Sequence, residues 1–336
     1  MRRMLLSPPA EGSSVVDCAG AGPEATGWDG TSLPARDRLL QPAPAEERRR
    51  PLFHPRRGWL RRLERASSKW LAREIFPRIP GSQLPYDWQL RHRLTLSEAE
   101  IGVSGLPRPF DGLRVLFLSD VHAGPFVSAT VLRETFLRLV ALKPDLVLLG
   151  GDLTTVRNSE FVSHREAFAV LDAPLGTFAV LGNHDHYAGQ AARLRDLIEA
   201  AGIGVLHNRS VELRRGAERL TLAGVDDLLL GEPDLEAALA GATPPLLLLS
   251  HNPDLFFDAA RRGVALMFAG HTHGGQIRIP GLPVWVRQSR FRLDEGRYRT
   301  GTTELVVSRG LGAVGLPWRV ACSPEAVLLR LRSGSV

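Results

Sequence analysis

The sequence predicts an α/β domain in which layers of β-sheet are covered by helices. Three observations lead to this fold class. Short apolar runs recur along the chain from about Leu113, helical patterns separate several of them, and polar residues follow directly after five of the runs. Alternation of strands with amphipathic helices is typical of sheets packed between helical layers.

The composition places the chain among large folded proteins. Of its 336 residues, 44% are apolar and 23% are charged, which is sufficient for a sizeable core. The two cysteines, Cys18 and Cys322, are far apart in the sequence, which excludes a disulfide-stapled scaffold and a zinc site of the CxxC type. No run reaches the roughly 18 consecutive apolar residues of a membrane span. We therefore expect a protein that is cytoplasmic or peripheral on the cytoplasmic membrane.

The net positive charge of the chain comes from its first third. The formal net charge is +6, and residues 1–110 hold 18 basic against 12 acidic residues, whereas residues 111–336 hold 24 of each. A protein that binds many phosphates of a duplex is expected to carry basic residues over its folded body. The charge distribution thus argues against nucleic acid as a partner. No feature of the sequence implies a protein partner.

The N-terminal third divides into two segments. Residues 1–50 are rich in Pro, Ala, Gly, Glu and Ser without apolar periodicity, which predicts disorder. Within residues 51–110, positions 56–76 have apolar residues at three- and four-residue spacing with arginines between them, which predicts a basic amphipathic helix that ends at Pro77. Alternation over residues 91–103 then predicts a lead-in strand.

Two interpretations of the basic helix remain open. Its tryptophans and arginines are typical of a helix that lies on an anionic membrane surface. The same pattern is typical of a helix that packs on the domain and exposes a solvated basic face.

The body of the chain contains the predicted strands and helices. The predicted strands are Arg114–Ser119, Leu146–Gly150, Thr177–Leu181, Leu246–Ser250, Ala265–Ala269 and Glu304–Ser308. The predicted helices are Ser128–Leu142, Ser159–Leu171 and Ala191–Ala201.

Potential metal ligands follow five of these strands. They are Asp120 and His122, Asp152, Asn183 with His184, His251, and the pair His271 and His273. The carboxyl ends of strands are where sites assemble in open α/β sheets, so these side chains are expected to meet. The donors are carboxylate, amide and imidazole groups without thiolates, a set that suits manganese, iron or zinc.

The order of these blocks resembles the calcineurin-like metallophosphoesterase superfamily. Asp-x-His, Gly-Asp, Gly-Asn-His-Asp, a later His and Gly-His-x-His occur in that order, and the resemblance covers residues 111–332. The segments Gly270–Gln276, Val307–Gly312 and Cys322–Leu328 are similar to a bacterial branch of membrane-associated phosphodiesterases that includes UDP-2,3-diacylglucosamine diphosphatases. The resemblance implies a four-layer α-β-β-α sandwich over residues 111–332.

The resemblance also implies a site with two divalent metal ions. Position by position, Asp120, His122 and His273 would bind one ion, Asn183, His251 and His271 would bind the other, and Asp152 would bridge both. His184 would be the catalytic residue that stabilises the transition state or protonates the leaving oxygen, with a nearby carboxylate, either Asp120 or Asp185, supporting its protonation. Manganese is favoured, with iron or zinc as alternatives.

Other polar residues near these blocks have open roles. Asp185, His186 and Asn252 adjoin the predicted ligands, and each either orients a ligand or substrate or serves only the local structure. Arg309 is expected to hold a substrate phosphate or to be a solvated or capping residue. The apolar segment Pro280–Trp285 either lines a lipid-facing groove or belongs to the core.

A glycine-rich stretch over residues 310–315 matches the GxGxxG pattern of dinucleotide-binding proteins. Leu316, Pro317 and Trp318 follow it where a phosphate-binding helix would have to begin, which argues against a dinucleotide site.

The expected function is metal-dependent hydrolysis of a phosphodiester or pyrophosphate bond. A metal-bridged hydroxide would attack a small-molecule or lipid substrate, with a nucleotide-lipid at an anionic membrane surface favoured through residues 56–76. The alternatives are a nuclease or nucleotide phosphodiesterase on the same core, and a non-catalytic metal-binding interaction module. Activity is expected to fall on acidification because imidazole ligands bind metals only when neutral.

Overall fold

The chain folds into two β-sheets that lie face to face. The computed structural model describes residues 35–39, 70, 74–187, 189–279 and 288–334. Its strands are β1 (Ala35–Leu39), β2 (Thr95–Val103), β3 (Arg114–Leu118), β4 (Leu146–Leu149), β5 (Thr177–Ala179), β6 (Gly204–Val205), β7 (Arg209–Arg215), β8 (Glu218–Gly224), β9 (Leu246–Leu249), β10 (Val264–Ala269), β11 (Gly296–Thr300), β12 (Thr303–Val307) and β13 (Glu325–Ser333).

Both sheets contain parallel as well as antiparallel pairs of strands. The larger sheet has the order β1-β11-β12-β10-β9-β8-β7, and the smaller sheet has the order β2-β13-β3-β4-β5-β6. Strands β3, β4 and β5 run parallel to one another, as do β8, β9, β10 and β12. Their carboxyl ends therefore form one edge in each sheet.

Helices cover the outer face of each sheet. They are α1 (Leu84–Arg93), α2 (Ala129–Val140), α3 (Asn158–Phe168), α4 (Asn183–His186), α5 (Ala191–Glu199), α6 (Leu235–Leu239) and α7 (Phe256–Arg261). Ser128 is the N-cap of helix α2, and its hydroxyl accepts a hydrogen bond from the Val131 amide.

Three apolar clusters fill the spaces between the four layers. One lies between the smaller sheet and helices α2, α3 and α5, one lies between the two sheets, and one lies between the larger sheet and helices α6 and α7. The strands supply both faces by alternation, so that Val115 and Phe117 of β3 point between the sheets while Leu116 and Leu118 point toward the helices. The rings of Phe117 and Phe268 meet edge to face between the sheets, 5.4 Å apart. The predicted α-β-β-α sandwich is confirmed.

The predicted elements of the body are present with small shifts at their ends. Each of the six predicted strands and three predicted helices overlaps an observed element of the same type. The lead-in strand is β2, which pairs with β13 over its whole length, whereas residues 91–93 belong to the end of α1. Strands β6, β7, β8, β11 and β13 and helices α1, α4, α6 and α7 are additions to the prediction.

The structure describes only part of the N-terminal third, so it tests the predictions for this segment only in part. Strand β1 lies within the segment predicted to be disordered and pairs with β11 at the edge of the larger sheet. An edge strand obtains its hydrogen bonds from one neighbour, so it forms without the periodic apolar pattern that the prediction required. Most of residues 1–50 and most of the predicted basic helix lie outside the described residues, and the predicted segment boundaries stay predictions.

Candidate metal centre

The potential ligands lie in loops at the carboxyl ends of strands from both sheets. Asp120 and His122 follow β3, Asp152 follows β4, and Asn183 follows β5 in the smaller sheet; His251 follows β9, and His271 and His273 follow β10 in the larger sheet. All seven side chains are at least nine-tenths buried. The potential ligands of the two sheets thus lie at the same end of the apolar core that separates the sheets.

Four of these residues form a compact cluster. One potential ligand atom from each of Asp120, His122, Asp152 and His273 lies within 4.8 Å of the others. His122 Nε2 lies 3.1 Å from His273 Nε2, and His273 Nε2 lies 3.4 Å from Asp120 Oδ1. Four buried donor atoms at these mutual distances can bind a single cation.

A second group adjoins the first through Asp152. The Oδ2 atom of Asp152 lies 3.3 Å from His251 Nε2 and 3.6 Å from His122 Nε2. His251 Nε2 lies in turn 3.2 Å from His271 Nδ1. Asp152 therefore stands between His122, which follows β3 of the smaller sheet, and His251, which follows β9 of the larger sheet.

The Asn183 side chain has a free acceptor at this position. Its Nδ2 donates a hydrogen bond to the Tyr187 hydroxyl at 3.3 Å, while its Oδ1 is buried and has no hydrogen-bond partner among the described atoms. A buried acceptor without a donor costs free energy unless another group satisfies it. A cation would satisfy this oxygen, and the carboxylate, amide and imidazole donors present fit divalent metal ions in donor type.

The backbone at the ligands is strained. Asp120, His122, Asp152, His271 and His273 have positive φ angles between 47° and 71°, a region that side-chain-bearing residues rarely occupy. Such strain persists only where the surrounding structure imposes it, and it concentrates at functional sites.

Two glycines allow the ligand loops to approach one another. A Cβ atom on Gly270 would collide with the Ser119 hydroxyl and the Asp120 carboxylate, and one on Gly182 would collide with the Asp152 carboxylate. The glycine before each of these motifs is required because the carboxylate of a neighbouring loop occupies the place of its side chain.

Burial and mutual charge interactions shift the pKa values of the cluster. Burial raises the pKa of the Asp120 carboxyl to about 6. Burial and the neighbouring cationic groups hold the pKa values of His122 and His273 well below their usual range. Burial opposes ionisation of Asp152, but His251 and His184 outweigh it and hold its pKa well below the usual value. Burial lowers the pKa of His251, but the Asp152 and Asp120 carboxylates outweigh it and raise that pKa well above the usual value. His122 and His273 are thus neutral, as metal binding requires, whereas His251 pairs with the ionised Asp152 and has to lose a proton before it can bind a metal.

His184 lies beside the cluster, and among the described residues no carboxylate forms a hydrogen bond with its ring. Its main-chain amide donates to Asp152 Oδ1 at 2.7 Å, and its ring Nδ1 donates to the Thr155 carbonyl at 2.7 Å. The hydrogen-bond partner of Nδ1 is thus a neutral carbonyl, while Asp152 is a carboxylate that interacts electrostatically with His184. The expected support from Asp120 or Asp185 stays a prediction. The Asp185 carboxylate instead accepts hydrogen bonds from Leu153, Thr154 and Gly182, and it joins the two loops that carry Asp152 and Asn183.

The other neighbouring residues have structural partners. His186 Nε2 lies 2.9 Å from Asp226 Oδ1, and Asn252 Oδ1 accepts from the Asp254 amide at 2.9 Å. Arg309 Nη2 forms an ion pair with Glu325 at 3.0 Å, so its guanidinium is engaged with a carboxylate. The Pro280–Trp285 segment lies outside the described residues.

The glycine-rich stretch after β12 packs against the loop that carries Asp120. A Cβ atom on Gly310 would lie 2.7 Å from the Cβ of Asp120, and one on Gly312 would collide with the Val121 carbonyl. The Gly312 amide donates to the Asp120 carbonyl at 2.6 Å. Arg319, which follows this stretch, contacts His273, and no signal in the sequence distinguished it.

Comparison with known proteins identifies the family. The calcineurin-like phosphoesterase family model matches residues 113–275. The uncharacterized metallophosphoesterase YkuE of Bacillus subtilis (strain 168) is 34% identical over 251 residues, which cover 72% of this chain and 87% of that protein. The phosphodiesterase YaeI of Escherichia coli (strain K12) is 32% identical over 252 residues, with 72% and 87% covered.

A vertebrate relative is longer than this chain. The transmembrane protein with metallophosphoesterase domain of Danio rerio is 33% identical over 250 residues, which cover 70% of this chain and 56% of that protein. The described part of the present chain contains no helix of the length and apolarity needed to cross a membrane. The match to YkuE, the family model and the buried Asp-His-Asp-His cluster agree, and the chain belongs to the calcineurin-like phosphoesterase family of metal-dependent phosphohydrolases.

Proposed function

We propose that the chain is a dinuclear phosphoesterase that hydrolyses a phosphodiester or pyrophosphate bond. In this proposal Asp120, His122 and His273 hold one ion, Asn183, His251 and His271 hold the other, and Asp152 contacts both. The placement of Asp152 Oδ2 within 3.6 Å of imidazoles from both groups is the observation that carries the proposal.

The metal ions, when bound, would polarise the phosphoryl oxygens and lower the pKa of a water molecule. The chain itself fixes the donors. The Nδ1–H of His251 donates to the Gly150 carbonyl at 2.7 Å, which leaves Nε2 free to bind and fixes the ring orientation. The His271 amide donates to both Asp120 carboxylate oxygens at 3.1 Å and orients them.

His184 is proposed to act on the leaving group. With Nδ1–H bound to the Thr155 carbonyl, Nε2 is the nitrogen that remains to exchange a proton. Its ring lies edge to face with that of His122, with centroids 4.7 Å apart, so it stands beside the proposed ligands. An imidazole in this place is suited to protonate an alkoxide oxygen near neutral pH.

Manganese is the proposed metal because oxygen and imidazole donors without thiolate suit it, with iron and zinc as alternatives. Reconstitution of the chelator-stripped chain with each metal, followed by the measurement of phosphodiester turnover and bound metal, tests this choice. Highest turnover with manganese supports the choice, and highest turnover with zinc or iron overturns it.

We propose that the substrate carries a lipid or another apolar group next to the phosphate. Five large apolar residues on two adjoining segments close to the ligand His273 are between 42% and 61% exposed: Ile277, Ile279, Leu316, Trp318 and Val320. The segments are joined by the bridge between Ile277 and Val320 and by hydrogen bonds from Gln276 Nε2 to the carbonyls of Leu316 and Trp318. An exposed apolar surface of this kind is typical of a binding site for an apolar partner.

Binding to vesicles of anionic and zwitterionic phospholipid tests the lipid proposal. The double variant Ile279→Ser/Trp318→Ser is expected to lower vesicle binding several-fold while leaving turnover of a soluble phosphodiester intact. The matched control is Leu137→Ser/Val162→Ser, which removes exposed apolar residues from helices α2 and α3. Equal binding by both double variants would contradict the lipid proposal.

A nuclease on the same core is the second candidate. The equal numbers of basic and acidic residues over 111–336 disfavour it, since duplex binding relies on phosphate neutralisation. Turnover of an oligonucleotide at a rate above that of a nucleotide-lipid would favour the nuclease. A metal-loaded chain without turnover of any phosphoester would favour the non-catalytic binding module.

A further inference from the structure

Arg319 is a buried arginine that contacts a proposed metal ligand. It lies in the loop between β12 and β13, and only 3% of its surface is exposed. Its Nη2 lies 3.2 Å from His273 Nδ1 and donates to the Arg309 carbonyl over 2.8 Å. When Nε2 of a neutral His273 binds a metal, Nδ1 carries the ring proton, so this contact with the ring is one of packing and not a hydrogen bond. Arg319 Nη1 lies 3.3 Å from the His273 carbonyl oxygen. One guanidinium thus contacts both the ring and the main chain of the same residue.

The same guanidinium reaches a second proposed ligand through one peptide. Arg319 Nε donates to the Gly312 carbonyl at 2.7 Å, and the Gly312 amide donates to the Asp120 carbonyl at 2.6 Å. Arg319 therefore connects the loop of Asp120 with the loop of His273. These loops follow strands of different sheets, and their side chains approach to 3.4 Å between His273 Nε2 and Asp120 Oδ1.

The charge of Arg319 has no acidic partner in the part of the chain that the structure describes. Its hydrogen bonds end on carbonyl oxygens and the Cys322 sulfur, and it also interacts with the Tyr86 hydroxyl. A buried cation without a carboxylate is costly, and one beside a cation site also repels the metal ion. We infer that a geometric effect offsets this cost: the planar guanidinium donates in several fixed directions at once and so fixes the loops to which it binds.

We propose that Arg319 is a positioning residue for one of the two cation sites, the one formed by Asp120, His122 and His273. Through its hydrogen bonds to the His273 and Gly312 carbonyls it holds the His273 main chain and the Asp120 loop at the separation that a shared cation requires. The site of Asn183, His251 and His271 does not depend on it, because His251 is oriented by the Gly150 carbonyl instead. This inference rests on the proposed dinuclear site.

Two substitutions of Arg319 distinguish a positioning role of this residue from a purely electrostatic one. If the charge of Arg319 dominates, its removal relieves repulsion and the metal binds more tightly. If the fork geometry dominates, both Arg319→Gln, which removes the charge, and Arg319→Lys, which keeps it, weaken the same site. Loss of a group that orients a metal ligand typically weakens metal binding by about 10- to 100-fold.

The experiment counts bound manganese after equilibrium dialysis and measures both dissociation constants by calorimetry. The full chain is expected to bind two ions, and Arg319→Lys and Arg319→Gln are expected to retain one while the other Kd rises by about 10- to 100-fold. The controls are Arg330→Lys and Arg330→Gln, because Arg330 is exposed on β13 and faces Glu100 at 3.8 Å. Retention of the second ion shows that the variants are folded.

Gln89→Ala provides a milder variant should both substitutions of Arg319 prevent folding. Gln89 Oε1 accepts a hydrogen bond from the Arg319 amide at 3.0 Å, so its removal loosens the loop and leaves the guanidinium intact. A smaller rise in the same Kd is expected.

Two outcomes would overturn the inference. Variants that bind two ions with unchanged or tighter affinity would show that Arg319 does not position the site. A wild-type chain that fails to bind two ions would overturn the proposed function as well, so the two failures are distinguishable.

Discussion

The ring Nδ1–H of His184 donates a hydrogen bond to the main-chain carbonyl of Thr155 over 2.7 Å. Thr155 lies three residues after Asp152, in the loop that leaves the end of β4. The same loop thus carries the carboxylate between the two ligand groups and the acceptor that orients the proposed catalytic histidine. Any change that moves this loop is expected to affect metal binding and His184 together.

Replacement of His184 alone should separate these two effects. His184→Ala removes the ring but not the main-chain amide that donates to Asp152 Oδ1. We expect kcat on a phosphodiester to fall by about 10²- to 10³-fold, in the range of a lost general acid, with bound metal unchanged. Steady-state kinetics and metal analysis on the same sample test this. His92→Ala, at an exposed histidine of α1, is the control, and full activity in His184→Ala would contradict the assigned role.

Gly270 provides a test of loop packing. Gly270→Ala would push a methyl group into the Ser119 hydroxyl and the Asp120 carboxylate. We expect it to lower the free energy of unfolding by about 1–3 kcal/mol, as overpacking typically does, and to weaken metal binding. Gly301→Ala is the control, since its Cβ would meet open space at a φ of 56° and should cost only about 1 kcal/mol through backbone strain. Unchanged metal affinity in Gly270→Ala would show that the Asp120 loop adapts.

The pair of His186 and Asp226, which adjoins the proposed ligand Asn183 in helix α4, predicts a pH dependence of stability. Burial alone would lower the pKa of His186, but the hydrogen bond to Asp226 raises it above 6.5. Burial opposes ionisation of Asp226, yet His186 lowers its pKa to about 2 from 3.8. The contribution of His186 is complete below pH 6.5 and is lost as the pH rises through its raised pKa; that of Asp226 is complete above pH 3.8 and is lost toward pH 2.

Asp226→Asn should therefore destabilise the chain most between these two limits. We expect a loss of about 1.5 kcal/mol there, typical of a hydrogen bond to a charged group, and a smaller loss in alkali. Urea unfolding of the variant and the wild type at matched pH values measures the difference. Asp196→Asn, at an exposed aspartate of α5, is the control. A difference that does not change between pH 5 and alkaline pH would contradict the pairing.

The sequence predicted the strands that carry the site because their runs are apolar on both faces. Leu146–Leu149, for example, fills two of the three apolar clusters, so all four residues are apolar. The seven predicted ligands follow such runs directly, and strand ends are local features of the sequence. Their convergence at one edge then follows from the parallel order of the strands.

Features that depend on distant contacts were not predictable in this way. Arg319 and His273 are 46 residues apart, and Asp226 and His186 are 40 residues apart. The partner of His184 was also missed, because a main-chain carbonyl such as that of Thr155 has no signature in the sequence. Strands β11 and β13 obtain their places by pairing with β12 and β3, which apolar periodicity alone does not specify.

The most direct test of the dinuclear site is hydrolysis of bis-p-nitrophenyl phosphate by the chelator-stripped chain after manganese is restored, beside Asp152→Asn and the control Asp196→Asn. Bound metal is counted in the same samples. The wild type and Asp196→Asn are expected to regain turnover with two ions per chain, while Asp152→Asn regains neither full metal content nor turnover. Turnover by the stripped chain without metal, or wild-type metal content and rate in Asp152→Asn, would contradict the proposed site.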